Sequence, residues 1–156
     1  MTESARLDET DRKILRAMQA NPQIAMAELA DRVSLSHTPV WRRVKRLEDD
    51  GVIAGRAMML DAEQLGYPIT VFAHVKIKSH DESSLDAFEE AVQQHPEIVE
   101  CFTMGGDSDY LLRILARSVR GYERFLKKTL LHLPGVAAMN SSFALKTVKL
   151  TMDVPV

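Results

Sequence analysis

Apolar residues recur at helical spacing in three successive segments of the N-terminal part of the chain. Ile14, Leu15 and Met18 mark one face of a helix over about 9–20. Asp8 is placed to cap it, and Asp8, Glu9 and Asp11 put negative charge at its N-terminus. Asn21-Pro22 stops it. Met26, Leu29, Ala30 and Val33 predict a second, shorter helix over about 26–33. Ser34-Leu35-Ser36 makes a tight connection, and Ser36 is a natural N-cap for a third helix. That helix buries Val40, Val44 and Leu47, tolerates Pro39 in its first turn and ends at Gly51. Two helices joined by a short turn, with a preceding helix to complete the core, predict a helix-turn-helix unit.

The pattern changes after Gly51. Residues 52–60 read as a short strand or wing leading away, and 61–68, with Gly66 and Pro68, as a linker. Ile69, Val71, Ala73, Val75 and Ile77 then alternate with Thr70, Phe72, His74 and Lys76, the period of a strand. Leu85, Phe88 and Val92 return to helical spacing, closed by His95-Pro96. Residues 98–104 predict a second strand, Gly105-Gly106-Asp107-Ser108 a turn, and 109–116 a third strand. Val119, Tyr122, Leu126, Leu130 and Leu133 form one helical stripe ended by Pro134-Gly135. A last strand is expected over 136–150, bulged near Ser141-Ser142. The order βαββαβ is the ferredoxin-like split βαβ unit. The fold class is therefore α+β: an N-terminal (winged) helix-turn-helix domain over 1–60, a linker to about 68, and a ferredoxin-like domain over 69–156. Phe72 and His74 point away from the helix side of the first strand. An open sheet with helices on one face leaves the other for a second subunit, related by two-fold symmetry.

Read at about 100° per residue, the third helix separates into two faces. Thr38, Arg42, Lys45 and Arg46 oppose the apolar stripe, and the run from Arg42 to Arg46 holds four cations and no acid. An ordinary solvated helix also accommodates Arg and Lys, but this local excess of cations suits a helix in a DNA major groove. The whole chain carries a formal net charge of −2, so DNA affinity must come from this patch. The Arg42 guanidinium suits bidentate pairing with guanine; Lys45 and Arg46 lie further along and suit phosphates. Trp41, the only tryptophan, sits about 100° from the stripe, at the edge between core and groove. Ser36, His37 and Arg43 lie nearby, with His37 reading as a bystander.

The remaining composition mostly excludes. At 46% hydrophobic and 27% charged, the chain has the material for a globular core, and its apolar runs are too short to span a bilayer. Residues 1–6 hold no apolar stretch and read as no secretion signal. Cys101 is alone, which leaves no disulfide framework and no cysteine-based zinc site, and fits a reducing cytoplasm. No nucleophile–base pair, phosphate loop or metal-ligand spacing points to an enzyme, and no metal is expected.

Several longer segments carry a family resemblance. They are Leu7-Asp8-Glu9-Thr10-Asp11-Arg12-Lys13-Ile14-Leu15, Glu28-Leu29-Ala30, Arg43-Val44-Lys45-Arg46-Leu47-Glu48, Gly51-Val52-Ile53, Gly106-Asp107-Ser108-Asp109-Tyr110-Leu111-Leu112 and Leu133-Pro134-Gly135-Val136. In order and spacing, over nearly the full length, the chain resembles the leucine-responsive/asparagine-responsive (Lrp/AsnC) transcription regulators. The resemblance implies an N-terminal domain that binds double-stranded DNA through Ser36, His37, Thr38, Trp41, Arg42, Arg43, Lys45 and Arg46. It implies a C-terminal domain that pairs subunits into dimers and higher even-numbered oligomers and senses a small amino acid between them. No other cofactor is expected.

The sensing role falls on Met104, Gly105, Gly106, Asp107, Ser108 and Asp109, with Ser141 and Ser142 as further candidates. Asp107 and Asp109 are placed for an α-ammonium, and backbone N–H groups for an α-carboxylate. Phe102 and Met104 offer an apolar wall, and Tyr110 braces the strand. Taken alone, Gly-Gly-Asp-Ser equally fits a plain β-turn. Segment 141–146 resembles members that control amino-acid degradation genes, and a branched-chain or other apolar amino acid is the expected effector. Two positions depart from the family pattern. Ser34 stands where Gly is usual, which costs about 1 kcal/mol if φ is positive there. Gly105 stands where a hydroxyl residue is common. Siroheme decarboxylases share the two-domain plan and are the alternative; they would use His and Arg around a tetrapyrrole. His74, His80, His95 and His132 form no compact cluster in the sequence, and the retained cationic helix favours DNA.

Overall fold

The computed structural model describes residues 6–156; the reading of Met1–Ala5 as free of a secretion signal lies outside them. Helix α1 (Glu9–Ala20) opens with a capping box. The Asp8 carboxylate accepts from the Asp11 N–H at 2.8 Å, and the Asp11 carboxylate accepts from the Asp8 N–H at 3.1 Å. Helices α2 (Met26–Arg32) and α3 (His37–Asp49) follow. The three predicted stripes close on one another: Ile14, Leu15, Met18, Leu29, Ala30, Val40, Val44 and Leu47 form one buried cluster. Ser36 occupies the N-cap of α3 without a side-chain capping bond. Ser34 takes φ 55°, the left-handed conformation the tight turn demands.

The end of this unit differs from expectation. Residues 52–60 form no strand; Ile53 N–H returns to the Leu47 carbonyl at 3.0 Å. In addition, Leu150–Val156 returns to the helices. The Gln19 side-chain amide grips the Val154 backbone, donating to its carbonyl at 3.0 Å and accepting from its N–H at 2.7 Å. Arg16 Nε donates to the Val156 carbonyl at 2.7 Å, and Val156 packs against the helical cluster. The unit therefore comprises residues up to Met59 together with Leu150–Val156, rather than one contiguous stretch.

The other unit, Leu60–Lys149, contains β1 (Ile69–Ile77), α4 (Glu82–Gln93), β2 (Ile98–Thr103), β3 (Tyr110–Ala116), α5 (Val119–Lys128) and β4 (Val136–Phe143). The strands form an antiparallel sheet in the order β2-β3-β1-β4. Val71, Ala73 and Val75 are wholly buried in a core with Phe88, Leu112, Ile114, Tyr122 and Leu130. The last helical stripe is not continuous. It breaks at Thr129 and resumes as a 3-10 turn, Leu130–His132, which seats Leu130 fully inside. Strand β4 stops at Phe143 because β1 runs out: Val71 opposes Phe143, and one further bond joins Ala144 N–H to the Thr70 carbonyl at 3.0 Å. No bulge occurs at Ser141-Ser142, which pair in regular register with Ala73 and Phe72; the irregularity lies at Lys76/Ile77. No helix among the described residues is long and apolar enough to cross a membrane.

The strained turn gives a first prediction. Ser34→Gly removes a side chain from a left-handed residue while adding freedom to the unfolded chain. The net effect expected is a stabilisation of about 0.5–1 kcal/mol in denaturant unfolding; a destabilised variant would show that the turn is not strained.

Candidate functional site

Thr38, Arg42 and Lys45 project from α3 opposite its buried stripe, Trp41 projects about 100° from it, and Ser36 and His37 lie exposed at its start. The four cations of α3 divide into two kinds. Arg43 Nη1 lies 2.6 Å from Asp8 Oδ2 and 2.8 Å from Asp11 Oδ1, and Arg46 Nη2 lies 2.6 Å from Asp11 Oδ2. Asp11 is only 1% exposed. Arg43 and Arg46, expected to touch DNA, are thus held by α1. They sit about 60° and 120° round the helix from Val40, on the flank away from Trp41. The Asp8 and Asp11 carboxylates raise the Arg43 pKa. The Asp11 N–H, and after it Arg43, hold the Asp8 carboxyl below its usual range.

Lys45 is paired differently. Its Nζ lies 2.9 Å from Asp49 Oδ1, which raises its pKa, but both groups are solvent-exposed and such a pair exchanges readily for another anion. Among the described residues, Arg42 alone of the α3 cations has no carboxylate within salt-bridge distance. The open face is therefore Thr38, Trp41, Arg42 and Lys45, with Ser36 and His37 at its edge.

In the C-terminal unit, the β2–β3 turn is closed by Met104 N–H on the Asp109 carbonyl at 2.8 Å and by Asp109 N–H on the Val75 carbonyl at 2.9 Å. Gly106 adopts φ 124°, a backbone that only glycine takes readily. Beside this turn opens a cleft of about 540 Å³, lined by His74, Lys76, Met104, Gly105, Asp107, Ser108, Ala138, Met139 and Asn140. Lys76 supplies a cation and Asp107 an anion. Asp107 has no hydrogen-bond partner among the described residues, whereas Ser108 Oγ lies 3.3 Å from His74 Nδ1. Met104 and Ala138 add apolar surface. A cation, a free carboxylate and an apolar patch in one cleft complement a zwitterion with an apolar side chain.

Five expected residues do not line the cleft: Gly106, Asp109, Ser141, Ser142 and Phe102. Both Asp109 oxygens are already used: Oδ2 accepts the Ile77 N–H at 2.7 Å, and Oδ1 lies 2.7 Å from His80 Nε2. Those two bonds, the Ile77 N–H first, hold its carboxyl below the usual range. Ser141 stands opposite Ala73 on the helix side of the sheet and hydrogen-bonds the Tyr122 hydroxyl. Ser142 pairs with Phe72 outside the cleft. Phe102, half-exposed, lies outside it too. Tyr110 is buried, donates to Glu89 at 2.7 Å and packs on Phe88 with ring centres 4.5 Å apart, so it braces the strand. Sequence reasoning missed His74, Lys76, Ala138, Met139 and Asn140 as lining residues. The outward phase of β1 offered a signal for the first two, but the His74–Asn140 register comes only from sheet pairing. Three of the histidines are separately engaged, His74 with Ser108, His80 with Asp109 and His95 edge-on to Phe125.

Two family models match the chain: a winged helix-turn-helix DNA-binding model over residues 7–54, and the Lrp/AsnC ligand binding domain over residues 70–154. Among curated proteins, the Bkd operon transcriptional regulator of Pseudomonas aeruginosa is 41% identical, over 97% of this chain and 99% of its own. The DNA-binding transcriptional activator DecR of Escherichia coli is 35% identical, over 96% and 99%. Among solved structures, a transcriptional regulator of Neisseria meningitidis in complex with L-methionine superposes with a TM-score of 0.91 at 36% identity, over 96% of this chain and 97% of that one.

The division of the α3 cations is testable by stability alone. Asp11→Ala is expected to destabilise the helical unit by about 2–3 kcal/mol, and Arg42→Ala by less than about 0.5 kcal/mol, in denaturant unfolding followed by Trp41 emission. Equal effects would overturn the division. Asp109, with a depressed folded-state pKa, contributes stability that is full above the usual carboxylate range and is lost as pH falls through its folded value. Below about pH 4 the wild-type chain should therefore lose stability more steeply than Asp109→Asn, by circular dichroism melts across that range.

Proposed function

The chain belongs to the Lrp/AsnC family of transcription regulators, and on that premise we propose that its α3 face reads DNA while its C-terminal cleft senses a free amino acid. It is a DNA-binding regulator and not a decarboxylase: its relatives over nearly the whole chain are regulators. The observation that carries the reading is the segregation of charge on α3. Buried Asp11 binds Arg43 and Arg46, which fixes the helix and leaves Thr38, Trp41, Arg42 and Lys45 free for a groove. Arg42 pairs with a guanine edge, and Lys45 exchanges Asp49 for a phosphate.

The effector reading rests on the cleft. Asp107 receives the α-ammonium, Lys76 the α-carboxylate, and Met104 with Ala138 the side chain, which favours an apolar amino acid. The methionine held by the Neisseria regulator supports that class. The protein needs no other cofactor, works in the cytoplasm and controls genes of amino-acid metabolism. The sheet face carrying Phe72, Phe102 and Leu111 has no helix over it and is covered by a second copy. A two-fold dimer binds a pseudo-palindrome with half-sites about one helical turn apart or a multiple of it. The amino acid alters DNA affinity only by its preference between assembly states, a coupling of about 1–3 kcal/mol.

Arg42→Ala should cost about 1–3 kcal/mol of specific binding and relax preference at one base position, while Lys45→Ala should lower the salt slope by about one unit. Fluorescence anisotropy against selected duplexes at several salt concentrations measures both; unchanged binding in the double variant removes α3 from the interface. Calorimetry against the twenty amino acids should find an apolar one that binds the wild type and not Asp107→Ala. Binding by neither, or equally by both, would displace the effector from this cleft.

A further inference from the structure

The helix-turn-helix core is complete without Trp41. Val40, Val44 and Leu47 are 0–3% exposed and face the other two helices, whereas Trp41 remains 51% exposed and outside the cluster. A tryptophan carries a large apolar surface, which in a packed domain is ordinarily covered. This indole has no aromatic partner among the described residues, and no cation lies over it; the one cation–π contact found joins Arg117 to Tyr67. Its neighbours on the helix surface are His37 at i−4, Thr38 at i−3, buried Val44 at i+3 and Lys45 at i+4, and Arg42 adjoins it. An uncovered apolar ring thus stands at the edge of the polar face that meets the groove, between Val44 of the buried stripe and Lys45.

The floor of a major groove offers donors, acceptors and one distinct apolar group, the 5-methyl of thymine. From this match we infer that Trp41 reads a thymine methyl, as a specificity determinant separate from Arg42. The inference rests on the DNA-reading role of α3 and adds a base preference to it. Trp41 and Arg42 are one residue apart, about 1.5 Å along the helix axis. The thymine therefore lies in the same half-site as the guanine read by Arg42, within about two base pairs of it.

The test uses the full chain and duplexes enriched by it from a random DNA library. Each thymine of an enriched duplex is replaced singly by deoxyuridine, which deletes only the methyl group. The expected result is one thymine per half-site at which this replacement weakens binding about fourfold. Trp41→Ala should bind the thymine and deoxyuridine duplexes equally, yet keep its preference for the guanine that Arg42→Ala loses. Trp41→Phe should retain part of the methyl sensitivity. Wild-type binding indifferent to every replacement overturns the inference while leaving the regulator reading intact if Arg42→Ala still loses its guanine. An unchanged deoxyuridine pattern in Trp41→Ala overturns it as well. A library that yields no enriched sequence overturns the DNA reading and this inference together.

Discussion

One buried carboxylate organises the N-terminal unit. Asp11 is 1% exposed and accepts hydrogen bonds from both Arg43 and Arg46. Left alone, such a charge would be costly to bury. Paired with two guanidinium groups, and itself accepting from the Asp8 N–H, it becomes the point at which α1 grips α3. The apolar cluster supplies burial, but burial does not fix the rotation of a helix about its own axis as sharply as directed ion pairs do. With α3 held at its Arg43 and Arg46 flank, the opposite flank faces solvent. The cations that build the unit and the cations free to meet a partner are therefore different residues on one helix.

The C-terminal unit uses a carboxylate in the same way. Asp109 spends both oxygens on the Ile77 N–H and His80, and so locks the β2–β3 turn against the end of β1. That leaves Asp107, two residues earlier, as the carboxylate without a partner among the described residues, in a cleft that also holds Lys76. In both units one acid does structural work so that a neighbouring charge remains available. Which member of a closely spaced pair plays which part depends on the direction of each side chain, not on residue type.

The segments where the chain passes between these units carry several exposed apolar residues. Met58, Met59 and Leu60 on one side and Leu145, Val148 and Leu150 on the other are exposed apolar residues outside any helix or strand. The second of these segments follows directly from β4, which borders the cleft through Asn140, and leads into the stretch held by Arg16 and Gln19 on α1.

Much of the architecture was legible in the sequence because it follows from local rules. Capping at Asp8, the stripe Val40-Val44-Leu47 and the alternation along 69–77 each depend on a few adjacent residues. The order of elements then limited the fold to a helix-turn-helix followed by a split βαβ unit. The features that only the tertiary structure decided are all non-local. Asp11 lies 32 residues from Arg43 and 35 from Arg46, so nothing in the run from Arg42 to Arg46 separates bound cations from free ones. Asp109 and Ser141 looked like ligand contacts because strand phase alone does not say which partner is already waiting across the sheet or beneath it. The last strand ended at Phe143 because β1 began at Ile69, and the tail joined α1 because Gln19 could satisfy its backbone. Periodicity specifies what each segment is; the pairing of charges and backbone groups distant in sequence settles which side chains remain free to act.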